Sequence, residues 1–191
     1  MKSFIKLIIA TGLVLFFNVN SFASVDLAAY GGYMFSGDAE VAGESADISG
    51  PQFGVKGHYN IELSPSVGLG LGAYYQYTKI KVDVDYGETP KISRNAAGVD
   101  INLIFSMPTA PDIFPYLRAN YSFYDKLSGD TPFGETVSGH GFGIGAGLEF
   151  AITPVVRIFG EFMYEMPSYK KYGYTLDVSA AAFNIGLKCV I

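Results

Sequence analysis

The run Gly141-Phe142-Gly143-Ile144-Gly145-Ala146-Gly147-Leu148-Glu149-Phe150 decides how the rest of the chain is read. Large or methyl-bearing residues alternate with glycines and a glutamate. A period of two means a strand whose two faces differ in chemistry. The glycines are not a nucleotide-binding loop, because they alternate within a strand and no helical pattern follows. Their expected use is steric: a face without side chains leaves room for larger groups from elsewhere.

The same alternation recurs outward from this run. Downstream, Val156, Ile158, Gly160, Phe162, Tyr164 and Met166 oppose Arg157, Phe159, Glu161, Met163 and Glu165. The last segment sets Ala181, Phe183, Ile185, Leu187, Cys189 and Ile191 against Ala182, Asn184, Gly186, Lys188 and Val190. Upstream, residues 25–36, 52–61, 67–78, 97–106 and 116–124 alternate in the same way. That makes eight strands, the smallest usual even count for an outer-membrane barrel. Connections after the second, fourth and sixth strands are short and contain Pro65, Pro108 with Pro111, and Pro154. Those after the odd strands, Gly37–Gly50, Lys79–Asn95, Asp125–Gly139 and Pro167–Ser179, are expected to be long polar loops. The fold expected is all-β: an eight-stranded antiparallel transmembrane β-barrel with up-and-down (meander) topology. The short turns and both termini are then periplasmic and the long loops extracellular. After Thr78 the apolar parity flips to Ile80, Val82, Val84 and Tyr86, which suggests a bulge or a hairpin running on above the membrane. Leu176–Ala180 is out of phase in a similar way.

The face bearing Gly, Asn, Gln, Ser and charges fits a narrow interior, and the bulky apolar face fits lipid. Aromatics on the apolar face are banded by depth. Tyr33, Phe35, Tyr75, Tyr77, Tyr121, Phe123, Phe162 and Tyr164 lie toward the long-loop end, and Tyr59, Phe105 and Phe150 toward the short-turn end. Two aromatic girdles around an aliphatic belt mark the two membrane interfaces, a banding that a soluble barrel has no reason to show.

The first 23 residues read as an address. A basic start with Lys2 and Lys6 precedes the apolar run 7–17, and Ser21-Phe22-Ala23 offers small residues at a cleavage site before Ser24. The apolar run is too short for a spanning helix, which needs roughly 20 apolar residues. The expected division is therefore a signal peptide over 1–23 and a barrel domain over 24–191. The remaining 168 residues keep 11 basic and all 18 acidic side chains, a net charge of −7. That balance excludes nucleic acid as a partner. Cys189 is the only cysteine, so no intrachain disulfide forms.

The run at 141–150, followed by Thr153, Arg157, Glu161-Phe162 and Tyr164, resembles the penultimate hairpin of the opacity-protein and outer-membrane-protein-A-like β-barrel family. In that family a Gly-x-Gly-x-Gly-x-Glu-aromatic strand leads through a short turn to a strand with Glu-aromatic-x-Tyr. The resemblance implies the outer membrane as location. One departure is the end of the chain. Such barrels commonly finish in Phe, which the assembly machinery reads, whereas this one finishes Cys189-Val190-Ile191.

Charges of both signs on the inward face should pair in a narrow, poorly hydrated space. Lys56, Asp100, Arg118, Glu149, Arg157, Glu161 and Lys188 are expected to form an ion-pair plug, with Glu149 held between Arg157 and Arg118. An ion path is the competing use of the same residues. His58 is expected to be a buried polar histidine, since a lone His offers no metal-ligand spacing. Ser138-x-His140 lies near the lipid but lacks an acid of the same parity, so no hydrolase triad is expected. No enzyme activity, metal or cofactor is expected. At the last loop, Tyr169, Lys170, Lys171, Tyr172 and Tyr174 form a contact surface of tyrosines beside lysines. The leading expectation is a monomeric structural and surface-interaction barrel with an adhesin-like role. It contacts outer-membrane lipid and lipopolysaccharide, and host or cell-surface molecules through its loops. A small passive, porin-like channel is the alternative, and a lipid A-modifying enzyme comes third.

Overall fold

The computed structural model describes residues 23–41, 44–82, 90–131, 134 and 136–191. The expected signal segment, apart from Ala23, and the parity flip at Val84 and Tyr86 lie outside them. The chain forms β1 (Ala23–Val41), β2 (Glu44–Ser64), β3 (Val67–Val82), β4 (Ile92–Phe105), β5 (Ile113–Gly129), β6 (Val137–Thr153), β7 (Val156–Lys171) and β8 (Tyr174–Val190). Each strand pairs antiparallel with its neighbour in sequence, and β1 pairs with β8 to close the barrel. The seam runs to the last residue: Ile191 N donates to Val25 O and Val25 N to Ile191 O.

The strands are longer than the alternating segments. They run from 14 to 21 residues, whereas a tilted strand crosses a membrane in about 9–11. The excess lies at the end opposite the short turns. Three of the four expected long loops are in large part strand, and the fourth is a tight hairpin. Val41 pairs with Glu44, Ile80 with Ile92, Leu127 with Val137 and Lys171 with Tyr174. The β7–β8 connection is two residues, Tyr172 and Gly173, with φ of 52° and 85°. Positive φ at both central positions is the hairpin turn whose twist matches its strands.

This also explains the parity flip after Thr78. The β3–β4 register continues unbroken from Thr78–Arg94 to Ile80–Ile92, so no bulge is present there. The contents of the barrel change instead. Inward positions are polar lower down and become apolar at the hairpin end, where Met34, Ile48, Ile80, Ile92, Leu127, Val137, Tyr169, Leu176, Val178, Ala180 and Ala182 pack together. Outward positions become polar over the same stretch. Leu176 to Ala180 follows the same rule on β8. Real bulges sit at Phe35 of β1 and Phe123 of β5. Each turns two successive residues outward and swaps the parity beyond it, which places Tyr124 on the outer wall.

The steric reading of the glycines holds in the lumen. A Cβ on Gly147 would run into the Tyr116 ring, on Gly54 into Tyr30 and on Gly186 into Phe159. Bare backbone on one strand makes space for an aromatic from another. The outer wall is apolar, with Leu27, Val55, Leu71, Val99, Ile101, Leu117, Ile144, Leu148, Ile185 and Leu187 all exposed. Exposed aliphatics in a closed belt require a solvent other than water.

Candidate functional site: a filled lumen and an exposed collar

Alternation sends every second residue of each strand into the lumen, and tilt staggers the contributions so that charges from different strands meet. At the short-turn end, Glu149 of β6 accepts from Arg157 of β7 at 3.1 Å and from Lys188 of β8. Lys188 also lies 3.2 Å from Asp26 of β1. Asp26 contacts His58 Nδ1 at 2.9 Å, and the other ring nitrogen lies 3.3 Å from Asp100 of β4. Arg118 of β5 donates to Asp100 through Nε at 3.0 Å, with Nη2 in ion-pair contact at 2.8 Å, and reaches across to Glu161 of β7 at 2.6 Å. Glu161 is the hub. It also accepts from Lys56 Nζ at 2.7 Å, Tyr116 OH at 2.9 Å and Asn184 Nδ2 at 3.2 Å. A glutamine pair, Gln52 and Gln76, carries the network on to Glu165. Glu165 pairs with Arg94 of β4, which holds Asp125 of β5 at 2.7 Å, and Asp125 accepts from Tyr169 OH at 2.6 Å. A continuous chain of ion pairs and hydrogen bonds therefore runs from Arg157 to the apolar cluster at the hairpin end.

Burying charge is costly unless each ion keeps a partner and its remaining hydrogen bonds. Lys56 and Glu161 side chains are 1% and 0% exposed. Lys56 is further enclosed by three rings, the nearest being Phe159 at 4.4 Å. Among the described residues the lumen holds carboxylates at 26, 100, 125, 149, 161 and 165, against permanent cations at 56, 94, 118, 157 and 188. Both ring nitrogens of His58 face carboxylates, and only a doubly protonated ring donates from both. The Asn102 amide agrees with such a ring. Its Nδ2 lies 3.0 Å from Nε2 while its Oδ1 has no partner, so exchanging the two ends would let Oδ1 accept. With the ring doubly protonated and the amide exchanged, the lumen is balanced at six charges of each sign.

All seven residues expected to form the plug are brought inward, and Arg157 keeps some contact with solvent. One pairing differs. Glu149 sits between Arg157 and Lys188, not between Arg157 and Arg118. The β6–β7 hairpin fixes Arg157, and the β7–β8 register sets Lys188 opposite Arg157 and within reach of Glu149, while Arg118 is long enough to cross the lumen to Glu161. Arg94 and Asp125 belong to the network although they fall in segments expected to be loops. Arg94 shares the even parity of Asp100 and Asn102, a signal that was available. Asp125 lies beyond the Phe123 bulge, which hides its parity.

The expected girdle residues Tyr33, Phe35, Tyr75, Tyr77, Tyr121, Phe123, Phe150, Phe162 and Tyr164 are exposed on the outer wall, with Tyr59 and Phe105 half-buried there. Phe35 and Phe162 rings lie 6.0 Å apart across the seam strands. Tyr75 OH donates to Asn95 at 2.7 Å. Of the expected contact tyrosines, Tyr172 and Tyr174 are exposed at the β7–β8 turn beside Lys170 and Lys171. Tyr169 is not a surface residue. Odd positions of β7 point inward, and it is fully buried in the apolar cluster. Ser138 and His140 face outward, the His140 ring stacked 6.3 Å from Tyr121, whereas Glu149 is in the lumen. Among the described residues, no group of three or more His, Cys, Asp or Glu is arranged to hold a metal.

No curated protein matches the chain. Among solved structures it is similar to Neisserial surface protein A, at a TM-score of 0.62 and 19% identity over 88% of this chain and 99% of that one. It is also similar to the outer membrane protein OprG from Pseudomonas aeruginosa, at a TM-score of 0.54 and 14% identity over 91% and 99%. At these identities the likeness concerns the fold alone. The family model for the outer membrane protein beta-barrel domain matches residues 9–190, nearly the whole chain, and with an aliphatic belt outside and paired charges inside the protein belongs to that family of bacterial outer-membrane barrels.

Proposed function

We propose that this protein is a non-conducting, surface-presenting barrel, with its hairpin end outside the cell and its short turns and both ends of the barrel in the periplasm. Residues 1–23 act as a removable export signal in this reading. The observation that carries it is the seal at the hairpin end. The charged column ends under a layer of Met34, Ile48, Ile80, Ile92, Leu127, Val137, Leu176 and Val178. A hydrated ion leaving the column would enter an apolar constriction, and such constrictions exclude water. The charges beneath are engaged with one another, and eight strands leave little room beyond side chains. Function then rests on the outer surface of the hairpins, where Tyr172 and Tyr174 stand exposed beside Lys170. Tyrosines beside a lysine make an adaptable contact surface for another molecule or cell. Ser138 and His140 face outward while Glu149, the acid farther along their own strand, lies in the lumen, which supports a non-enzymatic role. The test is a planar bilayer recording with the purified, folded protein. No stable unit conductance is expected, and regular unitary steps at low voltage would refute the proposal.

A further inference from the structure

Three aromatic rings of the lumen each lie in register opposite a glycine. Tyr30 of β1 faces Gly54, Tyr116 of β5 faces Gly147 and Phe159 of β7 faces Gly186. A Cβ at any of these glycines would strike the ring opposite. Inward positions on six different strands are thus given over to seating three rings. The rings converge on one atom. Lys56 Nζ lies 5.7 Å from the centroid of Tyr30, 5.6 Å from that of Tyr116 and 4.4 Å from that of Phe159. All three distances are within reach of a cation–π attraction.

Filling the lumen does not require rings, since the seal at the hairpin end is built mostly from aliphatic side chains. The ammonium does require them. It carries three donors. One reaches Glu161 Oε2 at 2.7 Å, and no other oxygen among the described residues accepts from it. That carboxylate is shared as well. Its Oε2 also accepts from Tyr116, and its Oε1 from Arg118 and Asn184. A buried ammonium supplied with one shared acceptor would be costly. The negative faces of the rings supply the rest. Two of the rings are held by their far ends, because Tyr30 OH donates to Gln76 and Tyr116 OH to Glu161, each at 2.9 Å. Neither can turn aside without losing a hydrogen bond. Aromatic faces around a cation are the means by which proteins bind alkylammonium ligands.

We propose that Tyr30, Tyr116, Phe159 and Glu161 form an alkylammonium-binding cage inside the lumen, with Lys56 as its tethered occupant. The occupied cage bars the lumen to cations a second time, below the apolar seal. It also ties β2 to β1, β5 and β7 through the interior. Emptied of Lys56, the cage takes a free primary amine. This goes beyond the surface role and holds whichever end of the barrel faces outward.

The test removes the tether and returns the occupant. Lys56→Gly deletes a side chain whose free equivalent is n-butylammonium. K56G is refolded in detergent with n-butylammonium chloride, 1-butanol or potassium chloride at matched ionic strength. Urea unfolding is followed by circular dichroism and cold-gel mobility. The K56G midpoint should rise with the logarithm of amine concentration, as for a ligand bound only by the folded state, while the parent's midpoint does not move. Butanol and potassium chloride should give no rise. Phe159→Leu in the K56G background should weaken amine binding about tenfold, the worth of a desolvated cation–π contact. An equal rise with butanol would mark a plain apolar cavity, and an equal rise with potassium chloride would mark screening. Either overturns the cage, as does a K56G that stays unfolded or unmoved in the amine. A second measurement avoids the emptied variant. Phe159→Leu is made in the parent and in E161Q/K56M, where neither cation nor carboxylate is present. Its cost to the folding equilibrium should be about tenfold greater in the parent. Equal costs would mean that the rings only pack, and the cage would be wrong.

Discussion

Replacing Glu161 with Gln removes one negative charge and little volume from the centre of the lumen. Four groups donate to this carboxylate: Lys56, Arg118, Tyr116 and Asn184. Three of them keep other partners or need only an acceptor. Arg118 retains its grip on Asp100, Asn184 retains Gln52, and the glutamine oxygen can still accept from Tyr116. Lys56 retains nothing of opposite sign. Its side chain is 1% exposed, and Glu161 supplies its only ion pair among the described residues. The cost is therefore that of one stranded buried charge, about 3–5 kcal/mol. Adding Lys56→Met removes the stranded ammonium and restores the parent's balance of charge. A matched apolar replacement of a buried pair is close to neutral, so the double variant should return to within about 1 kcal/mol of the parent. The chain contains no Trp, so unfolding in urea is followed by circular dichroism and by the shift between folded and unfolded bands on a cold detergent gel. If E161Q costs less than about 1 kcal/mol, or if E161Q/K56M is as unstable as E161Q, these charges are solvated by lumenal water and the paired column is wrong.

Two further outcomes separate the regions of the barrel. Leu71→Arg places a charge on the aliphatic belt and should cost about 2–4 kcal/mol in the same urea titration in lipid vesicles; a neutral effect would mean the outer wall is not lipid-facing there. Ile80→Ala opens a cavity in the apolar seal and should weaken hydrogen-exchange protection of the β3 and β4 amides at the hairpin end by about 2–4 kcal/mol. The amides around Gly70 and Asn102, deeper in the barrel, should stay protected, and a uniform loss would show that the two layers unfold as one.

The strand count, order, pairing and faces were all legible, because a period of two survives wherever one face meets lipid and the other a polar lumen. The length of the strands was not. Above the membrane the outer face turns polar and the inner face apolar, so Ile80, Ile92, Leu176 and Val178 looked out of phase while their backbone register never changed. Tyr169 was misplaced for the same reason, as a tyrosine in a lysine-rich stretch that in fact seals the lumen. Arg94 could have been found by carrying the even parity of Asp100 and Gly98 backward. Asp125 could not, because the bulge at Phe123 leaves no mark in the sequence. Partners within a hairpin, such as Glu149 and Arg157, follow from counting back across the turn. Partners across the lumen, such as Arg118 and Glu161, depend on side-chain length and strand tilt. The Glu149–Lys188 contact reaches over an intervening strand, with Lys188 set opposite Arg157 by the β7–β8 register.

That closure has a kinetic consequence. The β1–β8 seam joins Asp26 to Val190 and Leu27 to Cys189, so the two ends of the sheet meet only when the whole chain is present. The other strand pairs are local hairpins, and their loops close at little entropic cost. An unclosed sheet of this sequence would be apolar on one side and ionic on the other, and Lys188 could not yet reach Asp26. Desolvation of the lumen is thus deferred to a single late event, the meeting of the first and last strands. The rate of assembly should follow the fate of that seam, and truncation of a few residues at Ile191 should slow insertion far more than it weakens the finished barrel.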